Sequence, residues 1–442
     1  MSEAAQTVAP GTRAASPARW SALQLRTVLL IFLLFAIDGI DAQILVLAVP
    51  ALTIDWGLSA EAFRLPISIG YLGIAVGAML GGVLSDRFGR RPIILGLSLI
   101  FGPATIAMAL ANTTGQLAIL RFVAGIGLGG CMPPALTILA ETVQPSRRGL
   151  VVSVAMLSAP FGATVSGLAS AAIIPAHGWQ SLFWLGGGAA VIIAVLLILF
   201  LPESPAFLAG KRRYEARCDR LVARLGIDRP EPVVSQRGGR GFPGRELLGS
   251  GLAPLALGMI GSFLFVYVAG GIALGWLPAF LAARGYVLSQ TSLAMSAWSA
   301  AGIAGSLAIG WLTLHVSTWG AARMTALAGI GISAVLAITL GLMVQPPVWI
   351  VFALLVVCGA LLSAMIVVLY ACAAQCFPSH LRASGIGFCA TAGKIGGFVG
   401  SFGGASLIER AGGLFYFPAF ALALVAMLLS LMIATPAEMR RA

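Results

Sequence analysis

The chain has 442 residues, of which 59% are hydrophobic and 10% are charged, with a formal net charge of +12. A soluble domain carries about 25% charged residues, so this composition excludes one and predicts an all-helical protein that crosses the membrane many times. The six cysteines follow no disulfide or zinc pattern, and the three histidines lie near predicted loops without a nucleophile–base set, so we expect no metal, no cofactor and no catalytic residue.

Twelve apolar runs are long enough to span a bilayer as helices. They lie near residues 27–49, 65–84, 92–111, 115–140, 150–174, 181–201, 254–281, 289–313, 324–344, 347–372, 384–407 and 414–434. The longest break between runs divides them into six and six. The predicted organisation is therefore a tail 1–26, a bundle 27–201, a central loop 202–250, a bundle 251–434 and a tail 435–442.

The distribution of basic residues predicts the orientation in the membrane. If both termini are cytoplasmic, the cytoplasmic segments carry 22 of the 27 basic residues. This asymmetry follows the positive-inside rule, so the net charge reflects topology and not nucleic-acid binding. We expect a multi-pass protein of a bacterial-type inner membrane, with the lipid bilayer as a partner.

Asp38 and Asp41 lie inside the first apolar run, where charge is costly. A charged side chain at the bilayer centre costs about 2.5–3.5 kcal/mol on the lenient insertion scale. Because the two are three residues apart, they are expected to share one face of a helix. They require water, a partner or a proton, which favours transport. The alternative is a pair of aspartates in a wet cavity with structural partners alone.

The loop from Gly81 to Pro92 predicts a gate at the cytoplasmic face. Gly82 is expected to permit close helix approach and Gly89 a tight turn. Asp86 is expected to accept hydrogen bonds from helix N-termini and from arginine side chains. The arginines of this loop, Arg87, Arg90 and Arg91, are also predicted gate residues. Two further loops, 141–148 and 375–382, are similar to each other in sequence, and each contributes one predicted gate residue, Glu141 and Arg382. For Arg90 and Arg91 the alternative is simple anchoring of the topology.

This loop resembles the signature of the major facilitator superfamily. Asp38-Gly39-Ile40-Asp41 resembles the Asp-Gly-x-Asp signature of its aromatic acid:proton symporters, and residues 121–130 and 202–205 resemble their fourth helix and the motif after their sixth. The resemblance implies two pseudo-symmetric six-helix bundles around a central site. It also implies that Asp38 and Asp41 are needed for transport and that Arg121 pairs with a carboxylate and releases it on protonation. The alternative for Arg121 is a side chain that snorkels outward.

Lys394 lies about ten residues into the eleventh run, near mid-membrane. The resembled family usually has arginine in this glycine-rich stretch. The ammonium of lysine is a single point charge, whereas the guanidinium of arginine can donate to both oxygens of a carboxylate. We predict that Lys394 binds the substrate carboxylate, with Asp41 beside it. The alternative is a structural partner for an acidic residue.

These features predict a proton-coupled importer of an aromatic, hydroxybenzoate-like or related organic acid that works by alternating access as a monomer. The alternative is a drug/proton antiporter of the same fold, whose Gly-Pro-x-x-Gly-Gly pattern is only fragmentary at residues 158–163. A non-transporting sensor is disfavoured because the central loop is short and glycine-rich. Eight aromatic residues could stack on the substrate: Phe35, Tyr71, Phe265, Tyr267, Trp276, Trp298, Tyr370 and Phe398. The alternative, for most of them, is a lipid-facing or core position.

Overall fold

The structure, a computed structural model, describes residues 20–230, 247, 252–342, 347–378, 381–409 and 415–434. The first six long helices are α1 (Ala22–Trp56), α2 (Arg64–Phe88), α3 (Arg90–Met108), α4 (Thr114–Thr142), α5 (Arg148–His177) and α6 (Gln180–Phe200). Two short helices follow, α7 (Pro205–Ala209) and α8 (Glu215–Leu225). The last six are α9 (Ala253–Ala283), α10 (Leu288–Leu312), α11 (Thr318–Leu342), α12 (Val348–Cys376), α13 (Arg382–Glu409) and α14 (Tyr416–Ala434). Each predicted run corresponds to one long helix, while most of both predicted tails and of residues 231–250 lies outside the described residues.

Eleven of the long helices in the described part of the chain are long and apolar enough to cross a membrane. The exception is α13, whose 28 residues are rich in glycine and include Lys394. Glycine contributes little hydrocarbon, so this helix is less apolar than its neighbours although it is long enough to span the bilayer.

The helix ends follow local sequence signals. Ser21 and Gln24 form a capping box at the start of α1. Gly57 ends the same helix in the left-handed conformation, at φ 61°. Thr113 caps α4 by accepting a hydrogen bond from the backbone N–H of Gln116. These signals place the polar connections that flank each apolar run.

The two groups of six helices pack in the same order. In the first group α1 packs on α5, α2 on α4 and α3 on α6; in the second, α9 packs on α13, α10 on α12 and α11 on α14. The equivalence agrees with the similarity of the loops after the fourth and tenth spans. Between the halves, α5 packs on α10, α2 on α13 and α1 on α9.

Close packing of α2 on α4 depends on glycines four residues apart. A Cβ atom at Gly73, Gly77 or Gly81 would lie 2.1–2.4 Å from a carbonyl oxygen of α4. The backbones therefore touch, as small residues allow between membrane helices. The predicted role of Gly82 in close approach is wrong. Among the described residues, no atom beyond the neighbouring turns of its own helix lies within 4 Å of a Cβ built there, and Gly81 makes the contact instead.

Gly39 brings α1 against α5 between the two aspartates. A Cβ atom at Gly39 would lie 1.7 Å from the carbonyl oxygen of Ala159. We predict that Gly39→Ala lowers the free energy of unfolding by about 3 kcal/mol or more, because the helices must separate to admit the methyl group. Thermal unfolding of the purified protein in detergent measures the loss. Gly188→Ala is the matched control, because the space there is open; equal melting temperatures for the two variants would contradict the prediction.

The contacts between the two halves cluster at the end of the bundle where α1 ends and α2 begins, here called the α1–α2 end. The hydroxyl of Ser296 in α10 donates to the carbonyl oxygen of Thr164 in α5, at 2.8 Å. The guanidinium of Arg64 lies over the ring of Phe402 in α13, 4.8 Å from its centroid. Gly397 of α13 packs against the ring of Tyr71 in α2. The halves are thus closed against each other at this end.

Candidate functional site

A cavity of about 130 Å³ lies between the two halves of the molecule. Its first-half wall comes from α1, α2 and α4, and its second-half wall from α9 and α13. Most of the lining is apolar, as in other sites for small molecules. The polar side chains on the wall are few: Asp38, Gln43, Tyr71, Arg121, Lys394 and Ser401.

Asp41 is buried behind this wall in an ion pair with Arg121. Its side chain is 2% exposed, and its Oδ2 accepts a hydrogen bond from Nη1 of Arg121. Its Oδ1 accepts another from the hydroxyl of Thr105 in α3, at 3.0 Å. Gly70 of α2 makes room for the guanidinium, since a Cβ there would lie 3.0 Å from Nε of Arg121. A buried charge is tolerated when it is paired and hydrogen-bonded in this way.

Asp38 faces a different environment from Asp41, although the two lie on one helix three residues apart. Asp38 lines the cavity, whereas Asp41 is absent from its wall. Asp38 lies within electrostatic range of Lys394, Asp41 and Arg121. The structure therefore brings three of the predicted residues to the cavity: Asp38, Arg121 and Lys394. Asp41 is predicted to contact the substrate, but it is not one of the residues on the cavity wall.

Lys394 of α13 lines the cavity beside the ring of Tyr267. Its Nζ lies 5.6 Å from the ring centroid of Tyr267 in α9. Gly393 and Gly397 allow the rings of Tyr267 and Tyr71, respectively, to pack directly on the helix that carries the lysine. No ion pair within 4.0 Å joins Lys394 to Asp38 in the described part of the chain. The arrangement leaves a cation beside an aromatic ring, on the cavity wall, where a carboxylate can approach it.

A second polar cluster lies at the opposite end of the molecule, where α2 ends and α3 begins. Glu203 Oε1 accepts hydrogen bonds from the backbone N–H groups of Arg90 and Arg91, at 3.0 and 3.1 Å, and so caps the N-terminus of α3. Gly89 adopts a φ of 109°, as expected for the predicted turn. A Cβ there would also lie 2.8 Å from Glu203 Oε2. The turn is thus built to admit the glutamate.

Arg90 is the buried centre of this cluster. Its Nη1 donates to the hydroxyl of Ser204 at 3.0 Å, and its Nη2 lies 3.7 Å from Glu141 Oε1. Glu141 Oε2 in turn accepts from the hydroxyl of Ser204 and from the backbone N–H of Ala206, the latter at 3.2 Å. The cluster therefore ties the start of α3 and the end of α4, both in the first half, to the start of α7 in the central segment 202–250.

Three other predicted gate residues, Asp86, Arg87 and Arg382, have weaker interactions with the rest of the protein. The side chain of Asp86 is 73% exposed, and its carboxylate lies 3.8 Å from Arg90. The predicted capping of a helix N-terminus by Asp86 is wrong for α3, since Glu203 does this instead. Arg87 stacks on Phe88, with its guanidinium 5.2 Å from the ring centroid. Arg382 is exposed at the start of α13 and forms no ion pair within 4.0 Å among the described residues.

Several residues of these sites carry a weak signal in the sequence. Thr105 and Gln43 are uncharged polar residues within apolar runs. Glu203 and Ser204 belong to the motif at 202–205, but no role follows from that motif alone. Of the eight aromatic candidates, Tyr71 lines the cavity and Tyr267 flanks Lys394. Phe35, Trp276 and Trp298 are instead buried in the packed core.

Comparison with known proteins agrees with the geometry. The chain is 28% identical over 402 residues to the 4-hydroxybenzoate transporter PcaK of Pseudomonas putida, covering 88% of this chain and 87% of that one. It is 29% identical over 422 residues to the gallate transporter of Pseudomonas putida, covering 91% of each chain. Both relatives are transporters that match almost the whole length.

Comparison with solved structures identifies the fold. An inward-open structure of the xylose transporter XylE from E. coli superposes with a TM-score of 0.73 at 17% identity, covering 93% of this chain and 96% of the other. The family profile described as Major Facilitator Superfamily matches residues 31–400. The chain therefore belongs to the Major Facilitator Superfamily and is a multi-pass membrane transporter, not an enzyme.

Proposed function

We propose that this transporter imports an aromatic carboxylate together with a proton across a bacterial plasma membrane. The observation that carries the proposal is the cavity between the halves, where Lys394 faces Asp38 while Asp41 is held by Arg121 behind the wall. The names of the relatives support the substrate class, because two of them transport hydroxylated benzoic acids. The alternating movement would involve residues 27–201 and 251–434 as the two bundles, joined by 202–250.

The substrate binds through its carboxylate to Lys394. An ionised carboxylate and an ammonium form a strong charge-assisted hydrogen bond once water is excluded. The ring of Tyr267 beside Lys394 and the ring of Tyr71 on the cavity wall supply flat apolar surface for an aromatic ring, which prefers offset or edge-to-face contact with other rings. The interface between two halves is the usual position for substrate in transporters built from repeats.

The proton binds to the aspartates of α1. Protonation of Asp41 removes the negative charge that holds Arg121, and frees a guanidinium that already reaches the cavity wall. Loss of water around a carboxylate as the cavity closes favours its protonated form. Proton binding and closure of the cavity are thereby linked through α1 and α4.

The structure corresponds to an inward-facing state in this proposal. Both termini are taken as cytoplasmic, which puts the α1–α2 end on the outer side of the membrane. The halves are closed at that end by the contact of Ser296 with Thr164 and the stacking of Arg64 on Phe402. Substrate released from Lys394 would leave toward the cytoplasm.

Uptake of labelled 4-hydroxybenzoate into cells tests the coupling. We expect uptake in cells that produce the wild-type protein, a loss of at least tenfold with a protonophore, and a similar loss in Asp41→Asn because the proton-binding carboxylate is gone. Asp55→Asn, on the same helix but exposed, is the matched control and should transport normally. Uptake that is unchanged by both the protonophore and Asp41→Asn would refute proton coupling.

Export of cationic drugs by the same fold is the competing function. Lys394 places a positive charge in the cavity, which opposes a cationic substrate. Proton-driven extrusion of such a drug, measured with inverted vesicles, would favour the antiporter; we expect none above vesicles that lack the protein.

A further inference from the structure

Gln43 carries an acceptor without a donor on the wall of the cavity. The residue is 5% exposed, and its Oε1 is buried with no hydrogen-bond partner among the described residues. Burying an unpaired carbonyl oxygen costs about 1–3 kcal/mol. Such a group is expected to have a partner, and a ligand that enters the cavity can supply one.

Apart from Tyr71, whose hydroxyl can both donate and accept, the other polar groups on the cavity wall have a partner or a charge. Arg121 is held by Asp41, and the hydroxyl of Ser401 donates to the carbonyl oxygen of Gly271 at 3.2 Å. Lys394 is a cation and suits the carboxylate of the substrate. An ionised carboxylate has no hydrogen to donate, so the partner of Gln43 must be another group of the substrate.

The spacing along α1 indicates where that group lies. Gln43 follows Asp38 by five residues, which is about 7.5 Å along the helix axis and about 140° around it, and both residues line the cavity. Asp38 lies within electrostatic range of Lys394. The offset is comparable with the separation of para substituents across a benzene ring. A ring hydroxyl opposite the carboxylate can thus reach the region of Gln43 while the carboxylate remains at Lys394.

We propose that Gln43 accepts a hydrogen bond from a ring hydroxyl of the substrate and so selects hydroxylated aromatic acids over unsubstituted ones. The inference rests on the proposed function and narrows its substrate class. The hydroxyl satisfies the buried oxygen of Gln43, whereas an unsubstituted ring leaves that oxygen unpaired. A methoxy group occupies the same position but has no hydrogen to donate.

Binding of three acids to the purified protein tests this role. The dissociation constants of 4-hydroxybenzoate, benzoate and 4-methoxybenzoate are measured from the concentration dependence of the melting temperature. For the wild-type protein we expect 4-hydroxybenzoate to bind about tenfold more tightly than the other two. This comparison needs no variant, and equal binding of all three acids would overturn the proposal.

Two variants separate the hydroxyl contact from general packing. Gln43→Met keeps the length of the side chain and removes the oxygen, so the preference for 4-hydroxybenzoate over benzoate should fall from about tenfold to about one. Ser292→Ala is the matched control, because its Oγ is also buried without a partner but its side chain is not on the cavity wall. It should keep the wild-type preference. A preference that persists in Gln43→Met would also overturn the proposal.

Failure of the proposed function would give a different result in this measurement from failure of the role of Gln43 alone. If none of the three acids shifts the melting temperature of the wild-type protein, the substrate class is wrong and the role of Gln43 falls with it. If all three shift it equally, the substrate class stands and only the role of Gln43 is refuted.

Discussion

Replacing Lys394 with alanine weakens binding of 4-hydroxybenzoate by about 10- to 100-fold. The substitution removes the cation from the cavity and leaves the substrate carboxylate without a charged donor, and hydrogen bonds to charged groups contribute about 1.5–3 kcal/mol. The tyrosine beside the lysine remains, so the loss should concern the carboxylate and not the ring. The measurement is the ligand-dependent rise in melting temperature of the purified protein, with 4-hydroxybenzoate as the probe.

Two control variants make the result specific. Lys394→Arg keeps the positive charge and should retain most of the affinity, since the resembled family usually has arginine in this stretch. Lys211→Ala removes the other lysine of the chain, which stacks on Phe207 at 4.2 Å, far along the sequence from the cavity-lining residues. It should leave the affinity unchanged. If Lys394→Ala binds as the wild type does, Lys394 is instead a structural partner of Asp38.

The second large effect is expected from breaking the buried pair of Asp41 and Arg121. Arg121→Met leaves the carboxylate buried with Thr105 alone, and removing one partner of a buried ion pair costs about 3–5 kcal/mol. Asp41→Asn should be destabilising for the corresponding reason. The double variant should lose less than the sum of the two single losses, because it leaves no unpaired charge.

Reversible unfolding in a denaturant series gives the free energy of unfolding of the wild type, the two single variants and the double variant. Asp55→Asn is again the matched control: its carboxylate accepts one hydrogen bond from Trp179, at 2.9 Å, at an exposed position on the same helix. Its effect should be well below that of Asp41→Asn. Strict additivity of the two single losses would show that Asp41 and Arg121 act independently, which contradicts the pairing in the structure.

The sequence predicts the number of helices and their places along the chain well, because long apolar runs have few other structures available to them. It also indicates Asp38, Asp41, Arg121 and Lys394, since each is a charge in hydrocarbon. It does not indicate that Asp38 and Asp41 face different surroundings. These helices are apolar nearly all round, so the hydrophobic pattern does not reveal which face turns toward the cavity.

Contacts between distant segments are the other part that the sequence leaves open. Thr105 and Gly70 acquire their roles from α3 and α2 meeting the Asp41–Arg121 pair, and nothing local marks them. The wrong prediction for Gly82 has the same origin. Adjacent residues on a helix point about 100° apart, so Gly81 packs on α4 while Gly82 faces open space. The role of Glu203 follows from a turn more than one hundred residues earlier in the chain.

The contact of Gly39 with the backbone of α5 fixes the rotation of α1 about its own axis. Since α1 cannot turn without a collision at Ala159, Asp38 stays on the cavity wall and Asp41 stays at its partner Arg121. The two aspartates are three residues apart, so they point about 60° apart around the helix, and one contact holds both in place. Arg121 both binds Asp41 and lines the cavity. A change in the protonation of Asp41 can therefore reach the substrate through the movement of a single side chain.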